Sequence, residues 1–142
     1  MPETTLRSHL SYLLAEAELR VNRGLAEALA GAGTTVEQWR ILRALSAGHG
    51  YSMGDLALAV LMPHPTLTKA VDRLIDDALV YRRQDEVDRR RVAVFLAARG
   101  QDVVRRLDDV AAEHHRRVEA AYGAARTERL MRELTRLVES LD

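Results

Sequence analysis

The chain has 142 residues, 47% of them hydrophobic and 30% charged, and its 21 basic and 21 acidic side chains cancel to zero net charge. That length suits one domain with a full core, and 8 Gly with 3 Pro exclude collagen-like and low-complexity chains. The absence of Cys excludes a disulfide framework, a thiolate zinc site and a thiol redox sensor, and the even charge balance means that any nucleic-acid role must come from local patterning.

Apolar residues at Leu6, Leu10, Leu13, Leu14, Ala17, Val21, Leu25 and Leu29 predict one long first helix from about Thr5 to Leu29, ended by Gly31 and Gly33. Thr35 with Gln38 three residues on forms a capping-box pattern for a second helix carrying Val36, Trp39, Leu42 and Leu45. Ser52 before Asp55 opens a short third helix with Leu56, Ala57, Val60 and Leu61 inside. The prolines flanking His64 fit a turn and a first helical turn, so the chain breaks and restarts there. From Pro65 the stripe Leu67, Ala70, Val71, Leu74 and Ile75 gives a half-buried helix whose outer face carries Thr66, Thr68, Lys69, Asp72, Arg73 and Asp76. After Leu79 the period drops to two, at Val80 and Arg82 and again at Val92, Val94 and Leu96, which predicts a hairpin. Helical period returns beyond Gly100 at Val103, Leu107, Val110, His114 and Val118, and Gly123 separates a last helix carrying Leu130, Leu134, Leu137, Val138 and Leu141. The expected order is four helices, a hairpin and two helices.

Two short helices joined by a tight turn and followed at once by a charged hairpin make a winged helix-turn-helix. Its second short helix is shaped for a major groove and its hairpin for flanking backbone or minor groove. The fold class expected is mainly α with a small β-hairpin wing. The hairpin holds Arg82, Arg83, Arg89, Arg90 and Arg91 against Asp85, Glu86 and Asp88, and a guanidinium offers a rigid donor fork for phosphate. On spacing alone, a solvated charge-rich hairpin is an equal reading.

The stretch PTLTKAVDRLIDDALVYRRQDEVDRRRVAVFLAARG, residues 65–100, resembles the recognition helix and wing of the MarR family of bacterial transcription regulators, with its TxTRxVDRLxxxGLVxR and DxxDRRxxxVxLTxxG patterns. VEQWRILRAL resembles the family's second helix. The resemblance implies a single domain over 1–142, with a winged helix-turn-helix over about 35–97 and dimerisation helices over about 1–31 and 98–142. It also implies a homodimer that binds double-stranded DNA at a pseudo-palindromic operator, commonly represses a nearby gene, and lets go when a small aromatic or anionic effector binds.

Carried over by position, Thr66, Thr68, Lys69 and Arg73 fall on the DNA-facing helix. Arg89, Arg90 and Arg91 fall on the wing, where Asp88 shapes the turn as well. His9, Tyr12, Trp39 and Arg43 are the candidate effector-pocket lining. Three positions depart from the family pattern. Lys69 replaces Arg, Ala78 replaces a Gly, and Ala97 replaces the Thr before the next helix, removing a cap worth about 1 kcal/mol. His114 lies on an apolar stripe and reads as a packed or interface histidine, and His115 is about 100° around the helix from it, so the pair lacks metal-binding spacing. No metal and no cofactor are expected. There is no phosphate-binding Gly loop, no HExxH and no nucleophile motif, so no enzyme is expected. With no charged-then-apolar opening and no long apolar run, the expected setting is cytoplasmic, without a membrane partner. The alternative function is a helical protein-interaction module that keeps the fold but has lost operator binding.

Overall fold

The computed structural model describes residues 2–141. The elements are α1 (Pro2–Arg7), α2 (Leu10–Gly31), α3 (Val36–Leu45), α4 (Met53–Val60), α5 (His64–Asp76), β1 (Val80–Gln84), β2 (Val92–Leu96), α6 (Ala98–Tyr122) and α7 (Ala124–Ser140). The mainly helical class with one antiparallel hairpin is as expected, but five helices precede the hairpin rather than four. The long first helix is interrupted at Ser8 and His9. There the Ser8 hydroxyl donates to the Thr5 carbonyl at 2.6 Å and the His9 N–H to the Leu6 carbonyl at 3.0 Å, so the turn tightens, and Leu13 N–H to the His9 carbonyl restarts the helix. A serine side chain competes here for the carbonyls that a continuous helix would use.

Two compact units divide the chain: the residues up to Ala28 with those from Val110, and Leu29–Asp109. In the second, the helix-turn-helix unit, α3, α4 and α5 pack on one another and on the hairpin. Its fully buried side chains include Leu29, Ile41, Leu42, Leu56, Leu67, Leu74, Val94 and Leu107. This unit extends past the stretch 35–97 on both sides, because Leu29 of α2 and Val104 and Leu107 of α6 complete its core.

Local chemistry sets the joints. α2 ends in a Schellman turn, with Thr34 N–H on the Leu29 carbonyl, Gly33 N–H on the Ala30 carbonyl, and Gly33 at φ +80°. The Thr35 hydroxyl accepts from Gln38 N–H at 3.1 Å to cap α3, while the Gln38 side chain takes the Thr34 hydroxyl at 3.0 Å instead of closing the box. Ser52 caps α4 through Asp55 N–H at 3.1 Å.

Leu61 departs from the sequence expectation. It is not inside the third predicted helix but 83% exposed at its end, in the left-handed region at φ +58°. Pro63 disfavours helix at residue 62, so α4 must stop, and Met62 turns in to be buried while donating its N–H to the Ala57 carbonyl.

The hairpin pairs Val80 with Leu96 through Gln84 with Val92, and Tyr51 adds a short bridge to Val94 on the outer side of β2. Gly100 lies inside the first turn of α6. A Cβ there would strike the Leu79 carbonyl and the Leu96 side chain, so glycine is what lets α6 begin against the base of the hairpin.

The unit built from α1, most of α2, the second half of α6 and α7 has little core of its own. Leu25 is its buried apolar side chain, and Thr127 is buried with its hydroxyl on the Gly123 carbonyl at 2.8 Å. His114 is half-buried against α2, where its Nε2 would lie 2.9 Å from a Cβ on Gly24. Burial, then the neighbouring Arg117 and His115 charges, hold its pKa below the ordinary histidine value. Among the described residues no helix is long and apolar enough to cross a membrane.

Candidate nucleic-acid interface

α5 opens with Pro63 at its N-cap, in extended conformation, and Pro65 in its first turn. Leu67, Val71 and Leu74 bury one face, which leaves Thr66, Thr68, Lys69 and Arg73 exposed. Thr66, Lys69 and Arg73 are spaced i, i+3, i+7 and share one strip, whereas Thr68 stands about 160° from Thr66, on the flank it shares with Asp72. The four therefore span a broad outer surface, not one narrow line. The Thr68 hydroxyl donates to the His64 carbonyl at 2.9 Å, so it meets any external group as an acceptor and through its methyl. The side chains of Lys69 and Arg73 have no hydrogen-bond or ion-pair partner among the described residues.

α5 ends at another left-handed residue. Ala78 has φ +60°, with its N–H on the Ile75 carbonyl and Leu79 N–H on the Leu74 carbonyl, a Schellman turn built on alanine. The residue thus adopts the conformation that the family's glycine favours, at a cost of roughly 1–2 kcal/mol. The turn delivers the chain directly into β1. At the far end, Ala97 N–H donates to the Leu79 carbonyl at 2.9 Å, and no side chain caps α6 at that position.

The wing tip, residues 85–91, is folded by its own carboxylates. Asp85 Oδ1 accepts from Val87 N–H at 2.9 Å. Asp88 Oδ1 accepts from the Arg90 backbone N–H at 3.1 Å and from its Nε at 3.3 Å. Asp85 N–H to the Arg91 carbonyl and Arg91 N–H to the Asp88 carbonyl close the loop.

The arginines divide by partner. Arg82 reaches Asp72 of α5 at 2.8 Å and Arg91 reaches Asp55 of α4 at 3.3 Å, while Arg83 pairs with Glu86 and stacks 4.2 Å over the Phe95 ring. Arg90 is 93% exposed beside Asp88, and the Arg89 side chain has no partner among the described residues. Exposed pairs of this kind contribute at most about 1 kcal/mol, so phosphate oxygens can displace the carboxylates. The Asp72 and Asp55 partners were not foreseen. Asp55 read as a helix-opening residue and Asp72 as part of a polar face, and no spacing rule joins them to arginines that are remote in sequence.

The candidate pocket residues fall in separate places. Trp39 and Arg43 line a cleft of about 450 Å³ with Arg40, Ala44, Ala59, Val60 and Leu61, within the helix-turn-helix unit. The Asp108 carboxylate accepts from Trp39 Nε1 at 3.4 Å and pairs with Arg43 Nε at 3.8 Å. Tyr12 lines a different cleft, in the other unit, with Arg7, Glu16 and Arg20, and His9 is exposed in the turn between α1 and α2. Among the described residues no group of three or more His, Asp or Glu side chains is arranged to hold a metal ion.

Comparison with known proteins agrees with this geometry. A family model described as the MarR family matches residues 32–91, from the end of α2 to the wing. The homoprotocatechuate degradative operon repressor of Escherichia coli is 32% identical over 105 residues, which is 74% of this chain and 68% of that protein. Among solved structures, the transcriptional repressor CouR bound to a 23-mer DNA duplex superposes with a TM-score of 0.84 at 25% identity, covering 94% of each chain. NadR in complex with 4-hydroxyphenylacetate gives 0.77 at 25% identity, again over 94% of each chain. With the helix-turn-helix, the arginine wing and the TxTK and VDRL residues all in place, this chain belongs to the MarR family.

Proposed function

We propose that this protein is a homodimeric transcriptional regulator that binds double-stranded DNA at a pseudo-palindromic operator, represses a nearby gene and is released by a small aromatic or anionic effector. The observation that carries the reading is one unit presenting an exposed Thr66, Lys69 and Arg73 strip on α5 beside a hairpin tip with Arg89 and Arg90 unburied. α5 supplies base contacts in the major groove, through Thr66, Thr68 and Lys69. Arg73, Arg89, Arg90 and Arg91 supply phosphate or narrow-groove contacts, and Asp88 holds the turn that presents them. Regulation by binding needs no turnover, so the protein is not an enzyme, and its place is with the DNA in the cytoplasm. Its single-domain organisation spans the described chain, with the terminal helices serving dimerisation.

NadR was solved in complex with 4-hydroxyphenylacetate, and the Trp39 and Arg43 cleft has the chemistry for such a ligand: an aromatic wall, and a guanidinium that an anion would take from Asp108. Tyr12, in its own cleft of the other unit, and His9 are proposed effector contacts as well.

The test is selection of duplexes from a random library, followed by footprinting. The expected site is an inverted repeat with half-sites roughly 10 bp apart. Arg90→Ala should weaken cognate and random duplexes alike. It should also shallow the slope of log K against log salt by about 0.9 for each phosphate no longer neutralised, and by about twice that in a dimer, where both wings change. Thr68→Ala should leave the slope unchanged and cost on the order of 1 kcal/mol per half-site on cognate DNA alone. A single asymmetric half-site, or an Arg90→Ala variant that erases sequence preference while keeping the slope, would overturn this division of labour.

A further inference from the structure

One apolar side chain stands where the charge pattern of the wing gives no reason for it. Val87 is 96% exposed, the most exposed large apolar residue described, and it sits at the apex of a tip whose other members are charged. It is not held loosely. Asp85 Oδ1 takes its backbone N–H at 2.9 Å, the loop is closed beneath it by the Asp85 to Arg91 and Arg91 to Asp88 backbone bonds, and Arg89 and Arg90 follow within three residues. A β-branched side chain has little rotamer freedom, so its two methyl groups are presented in nearly one direction. They stand almost wholly in solvent, at the rim of a cleft that Val87 lines with His49, Arg83 and Phe95, and the solubility of a monomeric tip would be better served by a polar residue.

Resting on the DNA-binding reading above, we propose that Val87 is a specificity-determining residue, which enters the minor groove beside the operator half-site and selects A·T or T·A over G·C there. The chemistry follows from what each base pair shows on the groove floor. A·T and T·A both present acceptors with no protruding group, whereas G·C adds the guanine 2-amino group in the centre. A valine methyl has no acceptor to offer that amino group, so a G·C pair beneath it would have a polar donor buried without a partner, besides a steric clash. The flanking guanidinium groups of Arg89 and Arg90 are suited to the phosphate walls and to the stronger negative potential of a narrow A·T groove, which aligns the electrostatic and the apolar preference. The arginines favour A·T tracts by groove width, and the apolar tip adds a direct penalty at the 2-amino group itself.

The experiment uses the full-length protein and a duplex that the wild type selects from a random library, labelled for fluorescence anisotropy. Hydroxyl-radical protection locates the minor-groove positions covered by the wing, and each is changed among A·T, T·A, G·C and inosine·C. Inosine·C keeps the G·C major-groove edge but lacks the 2-amino group. Wild type should bind A·T, T·A and inosine·C equally, and G·C roughly fivefold or more weakly, the effect expected of one unfavourable base pair. Val87→Ser, at a site too exposed to affect folding, should bring all four within about twofold while keeping the preferences read by α5. The inference is overturned if wild type treats inosine·C like G·C, if the flanking pairs are interchangeable for wild type, or if Val87→Ser keeps the discrimination. A wild-type protein that retains no duplex from the library refutes the DNA-binding reading itself, and this inference with it.

Discussion

The two units of this chain solve the problem of burying apolar surface in opposite ways. In the helix-turn-helix unit, Leu42, Leu56, Leu67, Leu74 and Leu107 meet in one dry core, and every buried apolar residue described except Leu25 lies there. In the unit of terminal helices, equally apolar stripes stay open: Leu6, Leu10, Leu130, Met131, Val138 and Leu141 are between 44% and 73% exposed. A single chain does not keep that much apolar surface in water without a use for it, and in the proposed homodimer a two-fold copy of the chain would cover it. One unit is thus stabilised by its own fold, and the other, in the homodimer proposed above, by association.

Substitutions on the two sides should therefore show in different measurements. The largest effect is expected in the closed core, where Leu74→Ala should lower unfolding free energy by about 2–5 kcal/mol in denaturant titration. Its counterpart, the double change Leu10→Glu with Val138→Glu, should leave helix content intact. The mass from light scattering should then fall from near twice 15.9 kDa to that of the single chain, and operator affinity should go with it. A wild type already monomeric at micromolar concentration would end the contrast between the units.

Next in size is Gly100→Ala. Helix propensity would favour alanine by about 1 kcal/mol, but the new methyl meets the Leu79 carbonyl that holds Ala97 N–H, and we expect a net loss of about 1–3 kcal/mol. Smaller and of opposite sign is Ala78→Gly. Relief of the left-handed alanine outweighs the added flexibility of the unfolded chain, which should raise stability by roughly 0.5–1 kcal/mol. A fall in stability would mean that the alanine methyl has a packing role that its exposure hides.

The smallest effect belongs to the open unit. Because the His114 pKa is lowered in the fold, the unfolded chain binds a proton there first as pH falls below 6.5. The stability due to the neutral imidazole is full above that value and declines as the solution is acidified toward the folded pKa. His114→Gln should flatten that acid limb in melting temperatures followed from about pH 7 to pH 5. An unchanged limb would assign the acid sensitivity to carboxylates instead.

Much of the site was legible before the fold. The prolines around His64, the stripe from Leu67 to Ile75 and the change to period two after Leu79 are local signals, governed by backbone sterics and by which side chains seek water, and they placed α5 and the wing correctly. The Thr35 and Ser52 caps and the Gly33 turn were readable for the same reason. Where local rules compete, reading failed: Ser8 could continue a helix or back-bond to Thr5, and Leu61 fitted an apolar stripe although Pro63 forced the helix to end beside it.

Composition, periodicity and capping chemistry were thus sufficient to determine a helix-turn-helix with an arginine wing, because each depends on neighbours within a few residues. Which arginines of that wing are held by Asp72 and Asp55, which are free, and that Val87 stands bare at its tip were decided only by the tertiary structure. Those facts arise from chain segments meeting across the fold, where the geometry of packing, not the spacing of residues, sets which charge finds a partner.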